Sequence, residues 1–272
     1  MFSTYIFLFY FYLFAPLLVT VVLAFNDSMF PALPWNGFVL DWFFSPGPER
    51  VGLFHDDLLL RSLGTSVHVG LLVAGMSVLV GTAAAFLFEY ESFPFREWLY
   101  FLMLAPLVVP GVILGISILS ASNFLGLLFE DWFGWESEIL QPGFTLVVLG
   151  QFSFITTLTT LIILARLRKF DHTLEEAAFN LGASRLTIFL RITLPYLRPA
   201  LIGAGVIAFL MSFENFNTTL FLLGPEPTFP ITLYLQVRDG STPVINAASF
   251  MLMLGTGIFA IANLFFSRKT KD

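Results

Sequence analysis

The sequence contains no cysteine, and only 12% of its 272 residues are charged. The first absence excludes disulfide bonds, metal sites with cysteine ligands and catalysis by a thiolate. The second excludes an ordinary water-soluble domain, in which about 25% of residues carry a charge. The 57% hydrophobic content and the mean hydropathy of +0.85 indicate a membrane protein instead. No polar linker or low-complexity stretch divides the chain, so we expect one domain over residues 1–272.

Six stretches of the sequence are long and apolar enough to cross a membrane. A spanning helix needs about 20 mostly apolar residues, because about 30 Å of hydrocarbon is crossed at roughly 1.5 Å per residue. The first stretch lacks the basic residues and the cleavage site of a signal peptide, so we interpret it as a helix. We therefore predict an all-α membrane protein with six transmembrane helices, at about residues 5–25, 62–88, 98–119, 144–165, 199–223 and 244–266.

The positions of lysine and arginine predict the orientation, because short loops rich in these residues stay in the cytoplasm. With both termini in the cytoplasm, ten of the 13 basic residues lie inside, namely Arg96, Arg166, Arg168, Lys169, Arg185, Arg191, Arg198, Arg268, Lys269 and Lys271. Only three then lie outside, namely Arg50, Arg61 and Arg238. The same orientation gives an acidic outer face, with Asp27, Asp41, Glu49, Asp56, Asp57, Glu130, Asp131, Glu136, Glu138, Glu226 and Asp239.

Small residues recur every four positions in two of the predicted helices. Such spacing lets helices approach closely in lipid, and we expect a packing role here. In the third helix we expect Pro106 and Pro110 to cause bends. The recurring small residues are Ser66, Gly70 and Ala74, then Ser77, Gly81 and Ala85, and in the third helix Gly111 and Gly115.

The segment 166–198, between the fourth and fifth predicted helices, is too polar to cross the membrane but is patterned like two short helices. Asp171 or Thr173 can cap the first, whose first turns carry Glu175 and Glu176 near the positive end of the helix dipole. Gly182 suits the left-handed residue that ends it.

The second short helix of this segment can be capped by Ser184. It is apolar at Leu186, Ile188, Phe189 and Ile192, and we expect Pro195 to close it. The two helices together predict a compact helix-turn-helix under the membrane.

This segment resembles a signature of a known family. The EAA signature, EAA-x3-G-x9-I-x-L-P, is typical of the permease subunits of ABC-type importers. All seven of its fixed positions are filled, by Glu176, Ala177, Ala178, Gly182, Ile192, Leu194 and Pro195. The resemblance implies that the segment is a cytoplasmic coupling helix that docks on an ATPase subunit. ATPase closure would then move the attached membrane helices between inward-open and outward-open states.

The same resemblance implies the partners of the chain. They are a second permease subunit, a dimer of ATPase subunits and a soluble substrate-binding protein outside, with the permease in the bacterial cytoplasmic (inner) membrane among lipids. The chain has no G-x-x-x-x-G-K-[ST] loop for nucleotide phosphates. We therefore expect that it is not an enzyme and binds no cofactor, and that ATP and Mg²⁺ sit on the ATPase.

A polar stretch within the fifth predicted helix is the candidate solute pathway. Glu214 is the one carboxylate well inside a predicted span, and Asn215, Asn217, Thr218 and Thr219 follow it. An ionised group in the bilayer centre costs roughly 2.5–3.5 kcal/mol, so such residues usually face a cavity or a partner. We predict that Glu214, Asn215, Asn217 and Thr218 line the pathway.

Beyond the signature, the chain resembles the spermidine/putrescine permease branch of the family. That branch often has two adjacent acids where this chain has Glu214 and Asn215. An acidic outer face suits a cationic solute, but the same family also carries other small solutes, such as amino acid derivatives, iron or other ions. The resemblance rests on Phe25-Asn26-Asp27-Ser28, on Gly224-Pro225 with Pro230-Ile231-Thr232-Leu233-Tyr234, and on Asn246-Ala247.

Other function classes lack their signatures. An intramembrane enzyme needs a catalytic constellation, but His55, His68 and His172 fall outside, within and beneath the predicted membrane, and H-E-x-x-H is absent. A secondary transporter would not need the EAA segment, and the ion relay common in such carriers is not visible. The charge distribution gives no support for nucleic-acid binding.

Overall fold

A computed structural model of the chain describes residues 2–48, 50–134, 137–240 and 242–269, with side chains up to Ile258. Glu49, Glu136 and Lys271, which are among the charged residues used to predict the orientation, lie outside the described residues. The described helices are α1 Phe2–Leu23, α2 Asp41–Phe44, α3 Asp57–Tyr90, α4 Arg96–Val108, α5 Gly111–Phe133, α6 Phe144–Leu167, α7 Thr173–Asn180, α8 Arg185–Ile188, α9 Leu194–Phe213, α10 Thr219–Leu222, α11 Phe229–Gly240 and α12 Val244–Lys269. A π-helical turn, Phe189–Thr193, joins α8 to α9, and the strands β1 (Pro46–Gly47) and β2 (Arg50–Val51) pair antiparallel.

Five helices in the described part of the chain are long and apolar enough to cross a membrane. They are α1, α3, α5, α6 and the continuous run Arg185–Phe213 that ends with α9. The helix α12 is 26 residues long, and its described side chains, up to Ile258, form a shorter apolar stretch. The predicted mainly helical membrane protein is confirmed, whereas the count of six spans stays a prediction.

The third predicted helix, residues 98–119, is in fact two helices. The chain leaves the helical conformation at Val109, whose ψ is 128°, and resumes it at Gly111. A residue before proline disfavours the helical conformation, and Pro110 has no N–H to donate. The expected bend at Pro110 is therefore a complete break, whereas Pro106 remains inside α4.

The chain divides into two compact units, and the single domain over residues 1–272 stays a prediction. One unit comprises residues 1–61 and 232–272, and the other comprises residues 62–231. In the first unit α12 packs against α1 and α2. Three aromatic rings contribute to this packing, because Phe250 of α12 lies 5.2 Å from Phe25 and 6.0 Å from Phe43 between ring centroids.

Asn26 organises the loop that follows α1 in the first unit. Its side chain, 1% exposed, donates to the carbonyls of Ala32 and Pro34 at 3.1 Å and accepts from the N–H of Asn36 at 2.8 Å. The indole of Trp42 donates to the Asn26 carbonyl at 2.9 Å. Because buried polar groups need such partners, Asn26 has a structural role in this loop.

Arg50 adds an ion pair to the same loop. Its guanidinium lies 2.7 Å from Asp27 and 3.4 Å from Asp41. The hydrogen bond that Arg50 donates to the Asp27 carboxylate, together with the negative charges of both carboxylates, raises the pKa of Arg50. The single positive charge of Arg50 thus offsets part of the negative charge of Asp27 and Asp41.

In the second unit α6 is the helix with the most buried residues, and it packs against α9, α4 and α10. The small residues of α3 and α5 pack as predicted. A Cβ atom on Gly70 would lie 2.9 Å from the ring of Phe209, and one on Gly81 would lie 2.7 Å from the hydroxyl of Thr159. A larger residue at Gly70 would push α3 away from α9, and one at Gly81 would push it away from α6. The predicted close approach of helices at these small residues is therefore confirmed.

Candidate functional site

The first short helix of the segment 166–198 forms where the sequence predicts it. The Asp171 carboxylate accepts hydrogen bonds from the N–H of Thr173 at 3.0 Å and from its hydroxyl at 2.7 Å, which fixes the start of α7. These two bonds lower the pKa of the exposed Asp171 carboxyl. The first turn carries Glu175 and Glu176, where the positive end of the helix dipole favours acidic side chains.

Gly182 ends this part of the segment in the predicted conformation. Its φ is +86°, and its N–H donates to the carbonyl of Phe179 at 2.9 Å, while the N–H of Ala183 donates to that of Ala178 at 3.1 Å. The left-handed conformation closes the C-terminal end of α7. It also turns the chain toward α8.

Replacing Gly182 by alanine should destabilise this turn, because the left-handed conformation costs an L-residue about 1–2 kcal/mol. We expect a lower thermal unfolding temperature for the permease in detergent. Gly203→Ala in α9 is the matched control, since a Cβ atom there meets only open space and Gly203 has no positive φ. Equal unfolding temperatures for Gly182→Ala and the parent chain would contradict the prediction.

The second short helix also starts as predicted but does not end as predicted. Ser184 caps α8 by accepting the N–H of Thr187 at 3.2 Å. Pro195, however, does not close the helix, because α8 runs through the π-helical turn directly into α9. In this turn the N–H of Leu194 donates to Phe189, five residues back. Pro195 is the second residue of α9, and the π-helical turn directly before it accommodates the missing N–H.

The segment presents an unusually apolar surface for a polar loop. Leu181 at the turn is 89% exposed, Leu186 is 67% exposed and Phe179 is 61% exposed. Of the signature residues, Glu176, Ala177, Gly182 and Pro195 are exposed, whereas Ala178, Ile192 and Leu194 are half-buried. Ile192 packs against the buried cluster of Leu167, Phe170 and Leu197. The signature thus has an exposed part on the loop and a part anchored in the second unit.

A cavity of 670 Å³ lies between the C-terminal end of α3 and the segment. Phe86 and Tyr90 of α3 form one wall, and Glu176, Arg185 and Phe189 contribute to the other. Glu175 also lines this cavity and contacts Tyr90. The sequence alone predicts no role for Glu175 beyond the favourable interaction with the helix dipole.

The fifth predicted helix, residues 199–223, is interrupted at the candidate pathway. The helix α9 ends at Phe213, and α10 begins at Thr219. Glu214 and Asn217 are exposed, Asn215 is half-buried and Thr218 is buried. The structure therefore brings the four predicted pathway residues together in one break of the helix.

Two of these residues have structural partners. Asn215 accepts hydrogen bonds from the N–H of Thr219 at 3.2 Å and from its hydroxyl at 2.8 Å, which fixes the start of α10. The hydroxyl of Thr218 donates to the carbonyl of Gly111 at 3.2 Å. The role of all four residues in a pathway stays a prediction. Glu214 and Asn217 are the two of them whose polar side chains are exposed.

Gln151 of α6 supports this break, and the sequence analysis missed it. Its side chain is 0% exposed, donates to the Thr219 hydroxyl at 2.7 Å and accepts from the hydroxyl of Ser212. It therefore bonds to both sides of the interruption. The available signal was the one side-chain amide of the predicted span 144–165, because a buried amide is costly unless it is hydrogen-bonded.

The break before α5 packs against the break after α9. A Cβ atom on Gly111 would lie 3.1 Å from that of Asn217, and one on Gly115 would lie 2.8 Å from the carbonyl of Thr218. Irregular backbone at membrane depth is tolerated only where protein buries it or where it lines a cavity. In transporters such discontinuous helices commonly form the substrate site.

The chain is similar to a family of transport-system membrane components and to individual permease proteins. Residues 77–271 match the model of the family described as binding-protein-dependent transport system inner membrane component. The putrescine transport system permease protein PotI of Escherichia coli (strain K12) is 32% identical over 91% of this chain and 83% of its own length. The spermidine/putrescine transport system permease protein PotC of the same strain is 27% identical over 96% of this chain and 92% of its own.

Solved structures share the fold at low identity. A chain of a bacterial ABC transporter involved in the import of the acidic polysaccharide alginate has a TM-score of 0.69 and 14% identity, covering 97% of this chain and 94% of its own. A chain of a bacterial alginate ABC transporter in complex with an alginate pentasaccharide-bound periplasmic protein has a TM-score of 0.65 and 19% identity, covering 81% of this chain and 82% of its own.

Proposed function

Because the chain belongs to the family of binding-protein-dependent transport system inner membrane components, we propose that it is the permease subunit of an ATP-driven ABC importer for a polyamine such as putrescine or spermidine. The main support is the segment 166–198, whose EAA signature folds into an exposed helix and turn. The names of the two bacterial relatives support the solute class.

The apolar surface of the segment is the proposed docking surface for the ATPase subunit. Leu181, Leu186 and Phe179 expose large apolar side chains, and contact with a protein partner would remove them from water. Ala177 and Gly182 allow close approach, while Glu176 offers a charge to a basic or hydrogen-bonding group of the partner. Ile192 in the π-helical turn and Leu194 and Pro195 at the start of α9 then connect the docked part to the membrane helix.

Glu214 is the proposed site for an ammonium group of the solute. It stands at the C-terminal end of the 20-residue helix α9, where unpaired carbonyls give a partial negative charge. Its exposed carboxylate and the exposed amide of Asn217 offer the groups that a cationic amine prefers. Asn215 and Thr218 line the pathway as supports rather than as first contacts.

The remaining parts of the importer follow from this assignment. A second permease subunit completes the path, two ATPase subunits bind ATP and Mg²⁺, and a periplasmic or extracellular binding protein delivers the solute. This chain is the non-catalytic subunit, in the bacterial inner membrane with both termini in the cytoplasm.

The test is uptake of labelled putrescine and spermidine by vesicles that contain this chain with its neighbouring permease, ATPase and binding protein. ATP-dependent uptake is the expected result. Uptake of other solutes but not polyamines would refute the solute class and leave the importer. Uptake that does not depend on ATP would refute the importer.

A further inference from the structure

We propose that Glu175 is the joint that transmits movement of α7 to both α3 and α9, through hydrogen bonds with Tyr90 and Thr193. The proposal rests on the proposed function, since it assigns a positioning residue to the coupling step of the importer. Glu175 and Thr193 fill unfixed positions beside and within the EAA signature, so the signature does not specify this contact.

The geometry of Glu175 joins three segments that are distant in sequence. One carboxylate oxygen accepts the phenol O–H of Tyr90, the last residue of α3, at 3.0 Å. The other oxygen accepts the hydroxyl of Thr193. The contacts span 85 and 18 positions of the chain, respectively. An acidic residue that only stabilises its own helix dipole would need neither partner.

Thr193 is well placed to pass a displacement into the membrane. It is 0% exposed and is the last residue of the π-helical turn, directly before α9. Inserted π turns are frequent at functional sites, and hydrogen bonds to charged groups are roughly twice as strong as neutral ones. A shift of Glu175 therefore pulls on the backbone where α9 begins.

Further polar and charged side chains lie between α7 and the end of α3. His172 lies 3.6 Å from Glu175 and 4.0 Å from Glu89 of α3, and Arg168 lies 3.4 Å from Glu89. The chain of groups from Arg168 to Glu175 keeps α7 beside the end of α3. The two hydrogen bonds of Glu175 then make α7 move with α3 and α9 as one lever.

The test measures solute molecules imported per ATP hydrolysed by the complete importer in vesicles. Thr193→Val removes the hydroxyl but keeps the shape, and we expect this ratio to fall about three- to tenfold while ATP hydrolysis continues. Thr193→Ser should restore the ratio. Thr82→Val is the matched control, because among the described residues the Thr82 hydroxyl bonds within its own helix alone, to Val78 at 2.6 Å.

Two further variants separate a joint from a structural support. Tyr90→Phe removes the other hydrogen bond and should also lower the ratio. Thr193→Val combined with Glu175→Ala should lower the ratio no further than Glu175→Ala alone. The reason is that Glu175→Ala already removes the hydrogen bond that Thr193→Val removes. An unchanged ratio in Thr193→Val and Tyr90→Phe would overturn the proposal.

A parallel loss of assembled complex and of both activities, without restoration by Thr193→Ser, would also overturn it, because that result describes a folding defect. If the unmodified importer shows ATP-dependent uptake, either outcome leaves the proposed function intact. If the unmodified importer shows none, the proposed function fails first and the joint with it.

Discussion

Replacing Glu176 by lysine is expected to reduce ATP-dependent uptake by at least about a hundredfold, since bringing like charges together at an interface costs several kcal/mol. Glu176 is exposed beside the proposed docking surface and lines the cavity that Arg185 also lines. Lysine would reverse the charge offered to the ATPase. Initial uptake rates of labelled putrescine, normalised to the amount of assembled permease in the membrane, measure the effect.

The control for this variant is Glu91→Lys, which makes the same change of charge at an exposed residue outside the signature. It should retain uptake close to that of the parent chain. Co-purification of the ATPase subunit supplies a second readout, which Glu176→Lys should weaken. Normal uptake and normal co-purification in Glu176→Lys would disprove the coupling role of this residue.

Local sequence signals predicted the structure of the segment 166–198 well because that structure depends on local interactions. Asp171 and Ser184 form hydrogen bonds to backbone N–H groups two and three residues away, and Gly182 takes the left-handed conformation that its neighbours impose. Pro195 misled the prediction, because a π-helical turn before it removes the usual conflict between proline and a continuing helix. Such a turn has no simple sequence signal.

The breaks in the third and fifth predicted helices show the limit of hydropathy. Val109-Pro110 carried a local signal for a break, but a kink was an equally ordinary outcome. The break at Glu214 depends on partners far along the chain, namely Gln151 and Gly111. Because hydropathy contains no information about such partners, it predicted one continuous helix over residues 199–223.

The predicted pathway at this break depends on the negative charge of Glu214, which substitution by a neutral residue of the same size can test. Glu214→Gln keeps the size of the side chain and removes the charge. We expect uptake of putrescine at low concentration to fall roughly tenfold to hundredfold, because a hydrogen bond to a charged group contributes about 1.5–3 kcal/mol. The Michaelis constant and the maximal rate should be measured separately with the complete importer.

Glu226→Gln provides the matched control, because this substitution makes the same chemical change outside the break. Glu226 is exposed in the loop after α10. If Glu214→Gln and Glu226→Gln behave alike, the acidic residues act only through a general electrostatic field, whose influence declines over about 10 Å at 0.1 M salt. A loss confined to Glu214→Gln, with ATP hydrolysis still coupled to the remaining uptake, would place the cation at the break. The break and its support by Gln151 would then serve to hold one carboxylate where the amine passes.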